Sequence, residues 1–168
     1  MIRSLFLLIF ILYSNLSFAL NQRDEAYLWV GTEVFPTLVK SIVRTPNNNP
    51  TIVIVYQQNR HQAEVVAQQL KKTLNNPISI RTLEATLSSD DIQILFISHP
   101  DLQSDRLLEF TAQRQILNFS PFYQSVSMGA DAGISVKEQV RPQINPKQLE
   151  RKNIVLKPFF VRVAEQYE

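Results

Sequence analysis

The sequence predicts an α/β fold: one three-layer domain with a mostly parallel central sheet, a C-terminal antiparallel hairpin and a terminal helix. Three observations carry that expectation. Short, continuous runs of β-branched and apolar residues at 51–56 and 92–97 have the pattern of strands buried on both faces. Amphipathic stretches separate the strand-like runs, and that alternation needs crossovers between parallel strands. At 168 residues the chain suffices for one core.

The first nineteen residues read as an export signal. Arg3 supplies the positive start, residues 5–13 are unbroken apolar, and Ser17 and Ala19 give a small-x-small cleavage pattern. The apolar run is about half the roughly 20 residues that a membrane span needs. Residues 20–168 are expected to be the mature domain, placed in the periplasm.

Residues 22–44 follow as an amphipathic helix, with Tyr27, Val30, Val34, Leu38 and Ile42 at threes and fours. Pro36 is expected to kink it or to mark a restart capped by Thr32. Residues 45–50 break the chain with Pro and Asn. Strand 51–56 leads to helix 59–75, which buries Ala63, Val66, Leu70 and Leu74. Strands at 78–83 and 92–97, a helix at 101–113 and a short strand at 116–119 complete the parallel part. Residues 131–136 and 139–144 form the hairpin, turning at Lys137-Glu138. Asn145 followed by Pro146 is a favoured helix start, and residues 158–166 form the last helix. The expected sheet has four to six strands.

Composition removes whole classes of chemistry. The chain has no cysteine, so no disulfide scaffold, thiolate metal site or cysteine nucleophile exists. Its glycines are Gly31, Gly129 and Gly133, too scattered for a phosphate-cradling loop. No serine lies in a strand–elbow–helix pattern, and no metal or cofactor is expected. Asp90 and Asp91 are adjacent and point apart, which makes them turn residues and not a metal pair. Catalytic residues are not identified, and the chain is read as a non-enzyme.

Net charge is +2 over the whole sequence, too near balance for a nucleic-acid partner. Charge is unevenly placed, however. Residues 84–110 carry six acidic side chains and one basic; residues 137–162 carry seven basic and two acidic. These runs are expected to be solvated faces that attract each other, or else a basic docking face.

In an open parallel sheet, ligands bind beyond the carboxyl ends of the strands. Tyr56 and Gln57, Ser98 and His99, and Ser120 and Tyr123 follow successive strands, so they are the candidate ligand-binding rim. His99 could serve there as a contact or pH sensor, or cap the next helix locally. Tyr27, Leu28, Trp29 and Val30 are consecutive, and one apolar stripe cannot bury them all. Trp29, with Phe35, is therefore the candidate contact for a membrane partner or a second copy in a homodimer.

Three segments, Ser127-Met-Gly-Ala-Asp-Ala-Gly133-Ile-Ser-Val136, Arg141-Pro-Gln-Ile-Asn145 and Asn153-Ile-Val-Leu-Lys-Pro-Phe-Phe-Val-Arg-Val-Ala164, resemble the closing part of the YfiR-like family of exported proteins. The opening amphipathic helix and the strand ending Phe96-Ile-Ser98 are similar too. The resemblance implies a periplasmic, non-enzymatic regulator that binds and inhibits an inner-membrane signalling protein, such as a diguanylate cyclase. The same closing pattern is similar to half of a domain in periplasmic ABC-type substrate-binding proteins, which would imply a small-molecule ligand.

Overall fold

A computed structural model describes residues 20–44 and 49–167. The proposed signal segment and most of the 45–50 break lie outside the described residues.

Helix α1 (Gln22–Ser41) begins where Asn21 caps it, the Asn21 side chain accepting from the Asp24 N–H. It runs through Pro36 as one helix. Thr32 does not cap a restart: its hydroxyl donates to the Leu28 carbonyl one turn back, 2.8 Å away. The helix stops earlier than its apolar periodicity suggests, because Ile42 turns extended and residues Ile42–Arg44 become strand β1. Strand β1 pairs antiparallel with β8 (Val155–Leu156) as a separate two-stranded sheet.

The main sheet has seven strands, not four to six. In spatial order they are β3 (Ile78–Thr82), β2 (Ile52–Tyr56), β4 (Ile94–Ile97), β5 (Leu117–Phe119), β6 (Ala132–Val136), β7 (Val140–Ile144) and β9 (Glu165–Gln166). The first five run parallel. Strand β7 returns antiparallel to β6 as the expected hairpin, with Val136 opposite Val140. The extra strand is β9, which takes the last residues of the expected terminal helix and pairs with β7.

Strands β2 and β4 carry the centre. Ile52, Val53, Ile54, Val55, Ile94, Leu95, Phe96 and Ile97 are all fully buried, as a strand covered on both faces requires. Register places Ile54, Phe96 and Phe119 side by side on one face. Phe35 of α1 drops onto them, its ring centroid 5.1 Å from Phe96 and 5.0 Å from Phe119. Helix α2 (Arg60–Lys71) lies beside α1, where Gln69 donates to Glu33. Helices α3 (Leu83–Leu87) and α4 (Asp105–Gln113) pack together. The sequence reading missed α3, a single turn capped by Thr82. It also ran α4 too far forward: Pro100–Leu102 is a 3-10 turn and Ser104 is the true cap.

Two short helices close the chain, α5 (Pro146–Arg151) and α6 (Pro158–Val163). Asn145 caps α5 as expected, accepting from the Gln148 N–H. Between them Lys152 turns inward. Its ammonium lies 2.6 Å from the Asp131 carboxylate, and also donates to the Ile116 carbonyl and the Thr111 hydroxyl. Both charged side chains are buried, so this pair bolts α5 to β5, α4 and the start of β6.

Candidate functional site

The order β3-β2-β4 contains the reversal that matters. From β2 the chain moves to β3 on one side, then crosses back to β4 on the other. The connections leave the carboxyl ends of β2 and β4 in opposite directions, and a crevice opens between them. The structure has a cleft of about 310 Å3 there. Gln57, Gln58, Asn59 and Gln62 line it after β2, and His99, Pro100 and Asp101 after β4. The start of α1 lies across the opening and contributes Leu20, Asn21 and Asp24.

The cleft is therefore walled by amides and carboxylates, with Leu20 and Pro100 as its apolar contacts. Several of those groups already have local partners. Asn59 caps α2 by accepting from the Gln62 N–H. Asn21 both accepts from the Asp24 N–H and donates to the Asp24 carboxylate. His99 accepts through Nδ1 from the Asp101 N–H at 3.3 Å, so it caps the 3-10 turn, one of the two roles its position suggested. The side chains of Gln57 and Gln58 face a site suited to hydrogen-bonding groups and not to a large apolar body.

The candidate rim is only partly assembled. Gln57 and His99 line the cleft. Ser98 is buried beneath, its hydroxyl donating to the Val55 carbonyl and tying β4 to β2. Ser120 is fully buried and exposes nothing to the rim. Tyr56 is half-buried at the end of β2 and is not part of the cleft wall. Tyr123 is exposed and belongs to a different cluster. The Arg23 guanidinium sits 4.3 Å above its ring and 5.6 Å from the Tyr27 ring. The sequence reading missed Arg23, Asn21 and Asp24, because nothing local says that the first turn of α1 lies over the strand ends. The Asn21-x-x-Asp24 cap was the one available signal.

The loop from β5 to β6 is fixed by close approaches. A Cβ on Gly31 would lie 2.2 Å from Pro121 Cβ, and one on Gly133 would lie 2.5 Å from the Ser120 carbonyl. Gly129 turns the chain at φ +108, a conformation that favours glycine.

Of the two candidate contact residues, Phe35 is corrected. It is 0% exposed inside the aromatic core and offers no surface. Trp29 is half-buried against the core, its indole N–H 3.5 Å from Glu25 one turn back.

The charge runs do not pair with each other. Glu84 meets Arg106, Asp90 meets Arg114, and Asp91 meets Arg81, so three of the six acidic residues find an arginine nearby in the sequence and none of the three reaches the basic run. Asp90 and Asp91 diverge as expected, and the Arg81 guanidinium holds the Asp91 carboxyl below its usual range. In the basic run, Lys137 meets Glu165 and Lys152 meets Asp131. Lys147, Arg151 and Arg162 form no salt bridge among the described residues. No group of three or more metal-binding side chains gathers there either, and no described helix is long and apolar enough to cross a membrane.

Comparison with curated protein sequences gives no significant match. Among solved structures, one similar chain is the ABC domain from Streptococcus pneumonia in complex with L-Trp. The two are 10% identical with a TM-score of 0.61, over 83% of this chain and 59% of that one. A conserved domain protein from Vibrio cholerae O1 biovar eltor is 14% identical with a TM-score of 0.66, over 82% of this chain and 60% of that one. This chain thus spans about three fifths of each neighbour, and at such identity the likeness shows the α/β fold alone. The family comparison reaches further. Residues 40–165 match the model described as YfiR/HmsC-like, a span that takes in both sheets, the buried ion pair and α6, and the chain belongs to that family.

Proposed function

We propose that the protein is a periplasmic regulator that docks on the exposed part of an inner-membrane signalling protein, of the diguanylate cyclase kind, and holds its output down. Family membership supports a periplasmic regulator of diguanylate cyclase signalling in general terms. The observation that carries the docking step is the outer face of α6. Phe159 is 47% and Val163 56% exposed, and residues four apart share a helix face. Phe160 between them is fully buried and anchors the helix. A large aromatic left in water beside a β-branched residue is a recognised contact signature. Arg162 on the same helix and the unbridged Lys147 and Arg151 on α5 give this end of the chain a positive field suited to an acidic partner.

The test is cyclic-di-GMP output in cells that carry both proteins. Phe159→Asp and Val163→Asp should each release the signal as fully as deletion does, with unchanged melting of the purified variant. Retained control by both variants would sink the docking face. A second copy is the competing occupant: sizing chromatography that shifts from dimer to monomer with Phe159→Asp, cyclase control intact, would reassign the face to homodimerisation.

The polar cleft at the strand ends favours a second reading, in which a small hydrogen-bonding molecule binds beside Gln57 and His99. A thermal-shift screen of amino acids and polyols tests it. A ligand at about 100 times its dissociation constant adds about 2.7 kcal/mol, a shift of several degrees. Loss of that shift in Gln57→Ala would place the ligand.

A further inference from the structure

A second and larger cavity, about 620 Å3, lies at the opposite end of the sheet. It opens below the entries of β4 and β5. Its aliphatic lining is Ile42 and Ile154, both partly exposed, over the buried Ile92, Ile94 and Leu117. Its polar part is Gln115, Asn153 and Gln93, the last already accepting from the Thr51 N–H, with the Asp90–Arg114 ion pair at the rim. Lys152 also borders it, but the Lys152 ammonium is turned away to Asp131.

Two features set this cavity apart from a packing defect. Gln115 and Asn153 have φ of 55 and 54, two of the three non-glycine residues at positive φ among the described residues. Each stands just past a helix end. The following N–H closes the helix, Ile116 to the Thr111 carbonyl and Ile154 to the Leu149 carbonyl, both at 2.9 Å. Glycine is the favoured residue at that position, yet both places hold an amide side chain, and both amides line the one cavity. The second feature is Arg114. Its carboxylate partner Asp90 is 84% exposed, so water screens the pair and the bond is easily exchanged. The guanidinium does not depend on Asp90 for its place, because it also rests on the Phe110 ring at 5.2 Å.

We infer that this cavity is a binding site for an amphiphilic anion: an aliphatic body laid on Ile42 and Ile154, a carboxylate-like head that replaces Asp90 on Arg114, and the amides of Gln115 and Asn153 beside it. The two helix ends carry partial negative charge, which the Arg114 guanidinium at the rim offsets. Exchange of one carboxylate for another at Arg114 preserves the charge pairing of the rim. A cationic amphiphile cannot take the place of Asp90 on Arg114, and its head would lie against the like charge of the guanidinium.

Titration calorimetry of the protein with decanoate and with decylammonium tests the site. Decanoate should bind saturably at one site, and decylammonium should not. Arg114→Gln should weaken decanoate by about tenfold or more, the worth of a charge-assisted hydrogen bond. Asp90→Asn should tighten it several-fold, because the internal competitor is gone. Lys147→Gln, which removes a cation outside the cavity, should change nothing. Equal binding of decylammonium would reduce the effect to nonspecific apolar adsorption, and absence of saturable decanoate binding overturns the site. An Asp90→Asn variant that binds no tighter, or an Arg114→Gln variant that binds as well, overturns the head-group assignment on which the site rests.

Discussion

The buried pair of Asp131 and Lys152 allows the sharpest test of what holds this fold together. Asp131 Oδ2 receives both the Lys152 ammonium at 2.6 Å and the Asn118 N–H at 2.7 Å, while Asp131 Oδ1 has no partner among the described residues. Burial pushes the Asp131 carboxyl up and the Lys152 ammonium down, and the charge of each partner opposes the shift of the other. Removing one partner strands the other charge in the core, at a cost of about 3–5 kcal/mol. Lys152→Met should therefore lower stability by that amount. For a domain of this size about 1 kcal/mol corresponds to about 2–4 °C, so the melting temperature should fall by about 6–20 °C. The double variant Asp131→Asn/Lys152→Met removes both charges and keeps similar volume. It loses the donor to the Ile116 carbonyl, about 1 kcal/mol, and should otherwise recover to within about 1–2 kcal/mol of the parent.

The pH dependence separates this account from simple loss of packing. In Lys152→Met the Asp131 carboxyl lacks its cation and rises further. A folded-state pKa above the unfolded value, about 3.9, gives stability that is present at low pH and lost as pH rises through the folded value. The Lys152→Met deficit should thus shrink as pH falls from 8 toward about 5. In Asp131→Asn the stranded group is Lys152, whose folded-state pKa is lowered. Its stability is present above the unfolded value, about 10.4, and lost as pH falls through the folded one. That deficit should shrink as pH rises. Urea titrations of both single variants at three pH values decide the matter. Parallel pH slopes, or a double variant as unstable as the worse single one, would refute the reasoning.

Two further outcomes follow from α1. Phe35→Ala should cost about 3–5 kcal/mol, the loss of a buried aromatic and the cavity left behind, as measured by denaturant unfolding. Cyclase control should fall only in proportion to folded protein, because Phe35 has no surface. Trp29→Ala should cost less, about 1–2 kcal/mol for a half-buried side chain. A pull-down against the membrane partner that fails, although the variant melts near the parent temperature, would make Trp29 a contact residue. An unchanged pull-down would leave it as the flank of α1.

The parallel core was legible because each central strand is apolar on both faces, and only a doubly covered sheet requires that of Ile52–Tyr56 or Ile94–Ile97. Asn145-Pro146 was legible for a local reason: the asparagine side chain accepts from a free N–H of the first helical turn, and proline at the first helical position has no N–H to satisfy. The short strands were not. Residues Ile42–Arg44 continue the apolar period of α1, and only the arrival of β8 from over a hundred residues away makes them extended. β9 is two residues long, and its pairing with β7 outweighs the helical preference of a segment that starts at Pro158. The error in the charge reading has a similar origin. Asp90, Asp91 and Glu84 were weighed against basic residues distant in sequence, whereas the crossovers carry Arg81, Arg106 and Arg114 to them.

The site residues divide along the same line. Strand ends can be read from sequence, so Gln57 and His99 were placed on one crevice before any geometry was known. Whether a residue just past a strand points up or in depends on what its hydroxyl or amide can reach. Ser98 finds the Val55 carbonyl and turns inward, whereas Ser120 is held inside by its backbone, its carbonyl accepting from the Ser125 hydroxyl and its own hydroxyl without a partner among the described residues. Phe35 shows the converse. On a helical wheel it widens the stripe and could face a partner, but Phe96 and Phe119 from two different strands supply the rings that enclose it. Four consecutive apolar residues at 27–30 are more than one helix face can bury. The wheel alone cannot say which aromatic the sheet will claim, and the answer lies in the register that sets Phe96 beside Phe119.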